Sequence, residues 1–184
     1  MVWAPRDILQ LGYVCRSLEQ GIQYFIDKQG AGPFYAFDVP GTAASYTYRG
    51  APVHARGARI AFGYRGPLQF ELFETDNVLF NHVLGEKDEI AFHHCIQMSG
   101  RFKEDIEGYA KAGYETLGTA QMPGVLIHYI DTWDAIGHYT EVFDYDRAIV
   151  ETDGAMFKLF EIMHKSSLDW DGKDPIRPLP DLPA

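Results

Sequence analysis

The sequence predicts an α+β fold in which two βαβββ modules join into one curved mixed sheet, with a cleft between the halves and helices outside. Three observations predict it. Ile90-Ala-Phe-His-His-Cys-Ile-Gln-Met98 reads as a strand, and Ile8-Leu-Gln-Leu-Gly-Tyr-Val14 echoes it eighty-four residues earlier, with Gln10 where His94 stands. Leu18, Ile22, Phe25 and Ile26 match Phe102, Ile106, Tyr109 and Ala110 at the same offset, each set at helical spacing. Phe70 to Glu74 is echoed by Thr140 to Asp144 at an offset of seventy. The change of offset gives the first half fourteen extra residues, which fall in the irregular stretch 39–67. Neither half could bury its own sheet, so the two are expected to pack as one. The chain of 184 residues is accordingly read as a single domain, 1–184, with module 1 over about 7–75 and module 2 over about 90–145. A C-terminal helix and tail occupy 150–184.

Taken in order, residues 7–15 are the first strand. Ser17 is placed as an N-cap, with Gln20 three residues on in a capping-box arrangement. Lys28 and Gly30 close the helix that follows. Gly32-Pro33 turns the chain into a short strand, Phe34 to Asp38. Ser45 to Tyr48 and Ala58 to Phe62 read as strands between the breakers Pro40-Gly41, Gly50-Ala-Pro52 and Gly66-Pro67. Leu68 to Glu74 is a strand with Gln69, Glu71 and Phe73 on one face. A polar connector, 76–89, contains the apolar piece Val78-Leu79-Phe80. The strand at 90–98 and the second helix follow, and Lys111-Ala-Gly113 ends that helix. Two further strands are placed at Val125 to Ile130 and His138 to Phe143. A last helix near 154–165 has Met156, Leu159, Phe160 and Met163 on one face, and the Pro-rich end from Trp170 to Pro180 is extended.

Composition excludes several classes of function. With 46% hydrophobic and 14% aromatic residues the chain can build a sizeable core. A formal charge of −10 argues against general nucleic-acid binding and against attraction to an anionic membrane. Cys15 and Cys95 are the two cysteines, which fits a reducing compartment without a disulfide framework. The N-terminus lacks a basic region followed by an apolar one, and no apolar run reaches the length of a membrane span. The expectation is a cytoplasmic protein acting on a small molecule. No phosphate-binding glycine loop, dinucleotide fingerprint or serine-nucleophile elbow occurs.

Strand alternation gives the repeat a functional meaning. Side chains of neighbouring strand residues point to opposite faces. If His94 faces inward, Ile96 and Met98 share its face, while His93 and Cys95 should face the other way. The pairs Gln10 with His94 and Glu71 with Glu141 would then point into one concave space. Each residue alone has a plainer reading, as a hydrogen-bonded buried Gln, an ion-pair partner or a satisfied core histidine. Their repeat-equivalent placement is what favours a site.

The pattern resembles the vicinal oxygen chelate superfamily, which includes glyoxalase I, bleomycin-resistance proteins, methylmalonyl-CoA epimerase and type I extradiol dioxygenases. The resemblance covers about residues 7–145 and rests on Gln10 in Ile-Leu-Gln-Leu-Gly, Glu71 in Gln-Phe-Glu-Leu-Phe, His94 in Phe-His-His-Cys-Ile and Glu141 in Tyr-Thr-Glu-Val-Phe. The Gly30 to Phe34 turn and the Trp170-Asp-Gly-Lys-Asp-Pro175 tail look like the glyoxalase_4 branch. That superfamily repeats a βαβββ module and carries metal ligands on the first and last strands of each. The resemblance therefore implies that Gln10, Glu71, His94 and Glu141 bind one divalent metal ion in the cleft. Three oxygens and one nitrogen suit Zn²⁺, Ni²⁺, Co²⁺, Mn²⁺ or Fe²⁺. The order Gln, Glu, His, Glu is like zinc-type glyoxalase I, which favours Zn²⁺.

The reaction implied is proton abstraction next to a carbonyl, giving isomerase, epimerase or lyase chemistry of the glyoxalase-like type. Family analogy makes Glu141 the base and Glu71 its symmetric partner, and family habit implies a homodimer. Two other readings stay open. An Fe²⁺ extradiol dioxygenase normally uses two His and one Glu, and Gln10 counts against it. A metal-free binding protein of the bleomycin-resistance type usually lacks a full ligand set. The segment between Asp38 and Glu71 has no acid but holds Arg49, Arg56, Arg59, Arg65 and His54. These arginines either recognise an anionic or CoA-linked substrate or pair with surface acids. Tyr48 and His128 are further candidates for substrate contact, with core packing as the alternative for Tyr35, Tyr46, Tyr48, Phe62 and His128.

Overall fold

A computed structural model describes residues 9–182, so Asp7 and Ile8 of the expected first strand lie outside the described residues. In module 1, β1 (Leu9–Cys15) leads into α1 (Leu18–Tyr24). The Ser17 side chain accepts a hydrogen bond from the backbone N–H of Gln20, as the cap pattern predicts. The helix continues as a π-helical turn, Phe25–Gln29, and ends on Gly30 in the left-handed region at φ 61°. Then come β2 (Phe34–Pro40), β3 (Ser45–Tyr48), β4 (Ala51–Val53), β5 (Gly57–Arg65) and β6 (Leu68–Thr75). A short α2 (Val78–Asn81), capped by the Asn77 side chain, joins the modules. Module 2 has β7 (Ile90–Ser99), α3 (Phe102–Lys111), β8 (Thr116–Met122), β9 (Val125–Ile130), α4 (Trp133–Ile136) and β10 (Tyr139–Asp144). The chain ends with α5 (Tyr145–Thr152), α6 (Ala155–Leu168) and β11 (Ile176–Arg177).

Among the described residues the strands form one mixed sheet in the order β11-β2-β5-β6-β1-β7-β10-β9-β8-β3-β4. Its centre carries the repeat. β1 runs parallel to β6 and antiparallel to β7, and β7 runs parallel to β10. Gly12 stands opposite Glu71, and Ile96 stands opposite Glu141, so both modules use the same strand register. The extra residues of the first half form the β3–β4 hairpin. It does not stay with its own module: β3 pairs with β8 at the far edge, Tyr46 opposite Ala120. β8 itself, the second strand of module 2, is an element that the sequence reading did not place, and α5 is another.

The sheet has two different faces. On the outer one, Leu18, Ile22 and Phe25 of the first helix pack on Phe70 and Leu72. The inner face gathers Val14, Phe73, Ile127, Tyr129 and Phe143 into the main core. The apolar stripe of α6 packs against that inner face: Phe157, Phe160 and Met163 are buried there, with Met156 and Leu159 beside them. So α1 lies outside the sheet, as expected, whereas α6 covers its concave side. The tail binds the opposite edge, where β11 adds to β2 in parallel and the Phe34 N–H donates to the Pro175 carbonyl over 2.8 Å.

Candidate metal centre

Gln10, Glu71, His94 and Glu141 converge on the concave face, and all four side chains are buried. One ligand atom each from Glu71, His94 and Glu141 lies within 4.8 Å of the other two. His94 Nε2 is 2.9 Å from a Glu141 oxygen and 3.4 Å from a Glu71 oxygen. Ligands about 2.1 Å from a common ion and at right angles would stand about 3 Å apart, so the spacing fits shared coordination. Gln10 Oε1 is buried without a hydrogen-bond partner among the described residues, while His94 Nε2 and its Glu141 and Glu71 partners face one another. Unsatisfied buried polar atoms are costly. A divalent cation accepting their lone pairs removes that cost, and the two carboxylates balance its charge. The donor set therefore fits a metal.

Its electrostatics depend on whether a metal is present. In the metal-free protein, burial pushes the Glu71 carboxyl up to about 7, with the Glu141 charge adding to that and His94 opposing it. Burial would depress the His94 imidazole, but Glu141 and Glu71 more than reverse this and hold it at about 9. Burial, then the same two carboxylates, drives the Tyr129 phenol well above its ordinary value. In the metal-free protein a proton on His94 thus takes the place of the cation.

His93 corrects the expectation from strand alternation. Gly12 pairs with His94 and Tyr13 with Phe92, so the register shifts and His93 is the extra residue of a β-bulge. Instead of facing outward, His93 is fully buried against Phe80, Tyr129 and Tyr139 on the concave side. Its Nε2 sits 2.9 Å from the Leu79 carbonyl and its Nδ1 2.9 Å from His94 Nδ1. The carbonyl can only accept, so His93 carries its proton on Nε2. Burial and the neighbouring His94 charge hold the His93 pKa well below its ordinary value, so the ring stays neutral. His93 Nδ1 must then accept from the Nδ1–H of His94. This chain of partners leaves His94 Nε2 for the cluster, as a metal ligand requires. Sequence reasoning missed His93 because no residue in the strand signals the bulge.

Gly12 is the second residue missed. The His94 ring lies directly over it, and a Cβ there would stand 2.5 Å from His94 Nδ1 and overlap Cε1 and Nε2. The small residue in Ile-Leu-Gln-Leu-Gly thus makes room for the imidazole.

The other candidates lie elsewhere. Arg56 is paired with Asp76 at 2.7 Å, and Arg59 with Glu19, with Glu74 at 3.2 Å and with Asp38 at 3.7 Å. Both line a 710 Å³ groove beside the start of α1, away from the cluster. Arg49 is exposed at a positive φ of 49° and reaches the Tyr48 hydroxyl over 3.3 Å. Tyr48 packs on His82, which hydrogen-bonds Tyr139 over 2.9 Å. His128 points toward α3, its ring 5.3 Å from Phe102 and its Nδ1 3.3 Å from Thr116. None of these five residues lines the cavity above the carboxylates. For Arg56 and Arg59, pairing with surface acids is the arrangement found. Cys95 is half-buried and unbridged and does not line the cavity above the carboxylates.

No protein-family model and no curated protein sequence matches the chain. Solved structures do. A hypothetical protein from Bacillus halodurans C-125 superposes with a TM-score of 0.51 at 15% identity, over 73% of this chain and 90% of its own. A methylmalonyl-CoA epimerase in complex with methylmalonyl-CoA and NH4+ gives 0.50 at 17% identity, over 73% and 90%. A Streptomyces coelicolor methylmalonyl-CoA epimerase in complex with 2-nitronate-propionyl-CoA gives 0.51 at 16% identity, over 73% and 93%. At these identities the likeness is one of fold. The epimerases have the vicinal oxygen chelate fold, and the curved mixed sheet here matches it.

Proposed function

We propose that this chain is a divalent-metal-dependent enzyme of the vicinal oxygen chelate type that abstracts a proton next to a carbonyl group, as an isomerase or epimerase. The observation that carries the reading is the buried convergence of Glu71, His94 and Glu141, with Gln10 Oε1 left unpartnered beside them. Gln10, Glu71, His94 and Glu141 would hold the ion, and when bound it would supply Lewis acidity toward a carbonyl oxygen. Glu141 is assigned as the base and Glu71 as its counterpart from the other module. The carboxylate takes the proton from the carbon, and the C–H electron pair delocalises onto the carbonyl oxygen. Returning the proton to the opposite face epimerises the centre, and returning it to a neighbouring atom isomerises it.

The epimerase neighbours are described with CoA thioesters. What we take from them is the shared chemistry of an acidic C–H beside a carbonyl. Zn²⁺ is the metal we assign, from the ligand set. A homodimer and a cytoplasmic setting belong to the same reading. No helix among the described residues is long and apolar enough to cross a membrane. The extradiol alternative needs a second histidine ligand, and His93, the nearest candidate, has both ring nitrogens engaged. Exchange in D₂O tests the reaction. Metal-dependent incorporation of deuterium next to the carbonyl of an added ketone, lost in Glu141→Gln, supports the proposal; no incorporation with any of a panel of carbonyl compounds refutes it.

A further inference from the structure

The cavity that opens over the carboxylates has a volume of 270 Å³, at or below the small end of ordinary ligand sites, about 300 Å³ upward. Its polar lining is confined to Gln10, Glu71, Glu141, Tyr46 and Tyr129, and among the described residues no lysine, arginine or histidine lines it. Everything else is hydrocarbon or thioether. Met98, Met122, Met156 and Met163 all line it, and they are every methionine of the chain apart from Met1. Two come from strands of module 2 and two from α6, so flexible, polarisable side chains surround the space from both sides. Leu159 of α6 and Leu179 of the tail add to its apolar wall.

This lining decides what can enter. A divalent ion would be neutralised by Glu71 and Glu141, leaving no positive charge to spare for an anionic substrate. A carboxylate or phosphate on the far part of a substrate would be buried among methionines with no cation to meet it. The cationic side chains of the 49–65 segment do not help, since none lines this cavity.

Building on the metal-site reading above, we infer that the substrate is a neutral, compact, hydrocarbon-rich carbonyl compound. Its oxygens lie at the Gln10, Glu71 and Glu141 end, and its apolar body is wrapped by the four methionines. The site then selects by hydrophobic burial and adaptable fit, with specificity at the oxygen-bearing end.

The test is calorimetric titration of the metal-loaded protein with three probes of shared chelating end: 1-phenyl-1,2-propanedione, its para-methyl derivative and its para-carboxylate. Propionyl-CoA is titrated alongside. The neutral pair should bind, and the para-carboxylate should bind roughly tenfold more weakly or worse, since an unpaired buried charge must be desolvated. Leu159→Arg, at a half-buried position of the wall, should narrow or reverse that difference. Equal binding of the para-methyl and para-carboxylate probes, tighter binding of propionyl-CoA, or binding of none of them overturns the inference. If no metal loads, the catalytic reading fails. The same series on the metal-free protein then decides the neutral-ligand inference alone, by the same preference.

Discussion

Gly12→Ala should abolish metal binding without altering any ligand. The wild-type glycine lies under the His94 imidazole, and an added Cβ would stand 2.5 Å from Nδ1 and closer to Cε1 and Nε2, where ordinary contact begins at 3.4 Å. The ring would have to retreat by about 1 Å or more, in a close-packed strand pair that has no slack to give. Metal–ligand distances tolerate only about 0.2 Å. Misplacing His94 by several times that margin should lower affinity at least about 100-fold, equivalent to about 2.8 kcal/mol. Overpacking adds a stability cost of about 1–3 kcal/mol. The matched control is Gly108→Ala on α3, where a Cβ meets nothing within 4 Å. That variant should bind metal like the wild type and gain up to about 1 kcal/mol of stability. Titration calorimetry with Zn²⁺, paired with thermal melts to verify folding, reads both variants. A folded Gly12→Ala protein with wild-type affinity would refute the account of how His94 is positioned.

Other consequences follow from the same geometry. His93→Gln breaks the ordered chain from the Leu79 carbonyl to His94, and metal affinity should fall about 10–100-fold in a folded protein; unchanged affinity would remove His93 from the positioning role. The pH dependence of the metal-free protein has a definite sign. His94 is raised from 6.5 to about 9 and Glu71 from 4.5 to about 7, so the native state holds more protons than the unfolded chain between those values. The Glu71 contribution is fully present below 4.5 and lost as pH rises through about 7; that of His94 is fully present below 6.5 and lost through about 9. The melting temperature of the metal-free protein should therefore fall across this range, and the increase on adding Zn²⁺ should grow. A metal-induced increase that shrinks with pH would contradict the assignment of Glu71 and His94 as ligands. Arg56→Ala and Arg59→Ala remove exposed ion pairs, which solvent screens; each should leave binding of the dione probe unchanged, and a large loss of binding would restore these arginines to the substrate site.

The central sheet was readable because its signals are local and occur twice. Gln10 and His94, and Glu71 and Glu141, could be paired from the repeat alone, and the structure places all four on one buried face. What escaped was set by contacts distant in sequence. β8 reads Thr-Leu-Gly-Thr-Ala-Gln-Met, with little of the β-branched and aromatic character of a strand. It is held instead by pairing on both sides, and Gly118 lies so close to the Thr47 carbonyl of β3 that a side chain has no room. Helix α5 had one local signal, Asp144, which caps it through the Arg147 N–H. The inward turn of His93 depends on a one-residue slip against β1 that its own sequence does not announce. The arginine segment shows the reverse problem. Its local charge is plain in the sequence, but the acids that satisfy it come from α1, β2, β6 and the residue after β6.

Metal binding by the purified chain tests the central claim most directly. After removal of adventitious metal and titration with Zn²⁺ and Co²⁺, the wild type should take up one ion per chain, with release of protons. Glu71→Gln, His94→Ala and Glu141→Gln should each lose that binding, and Gln10→Ala should weaken it. A wild-type protein that takes up no divalent ion, or ligand variants that bind it as tightly as the wild type, would contradict the account.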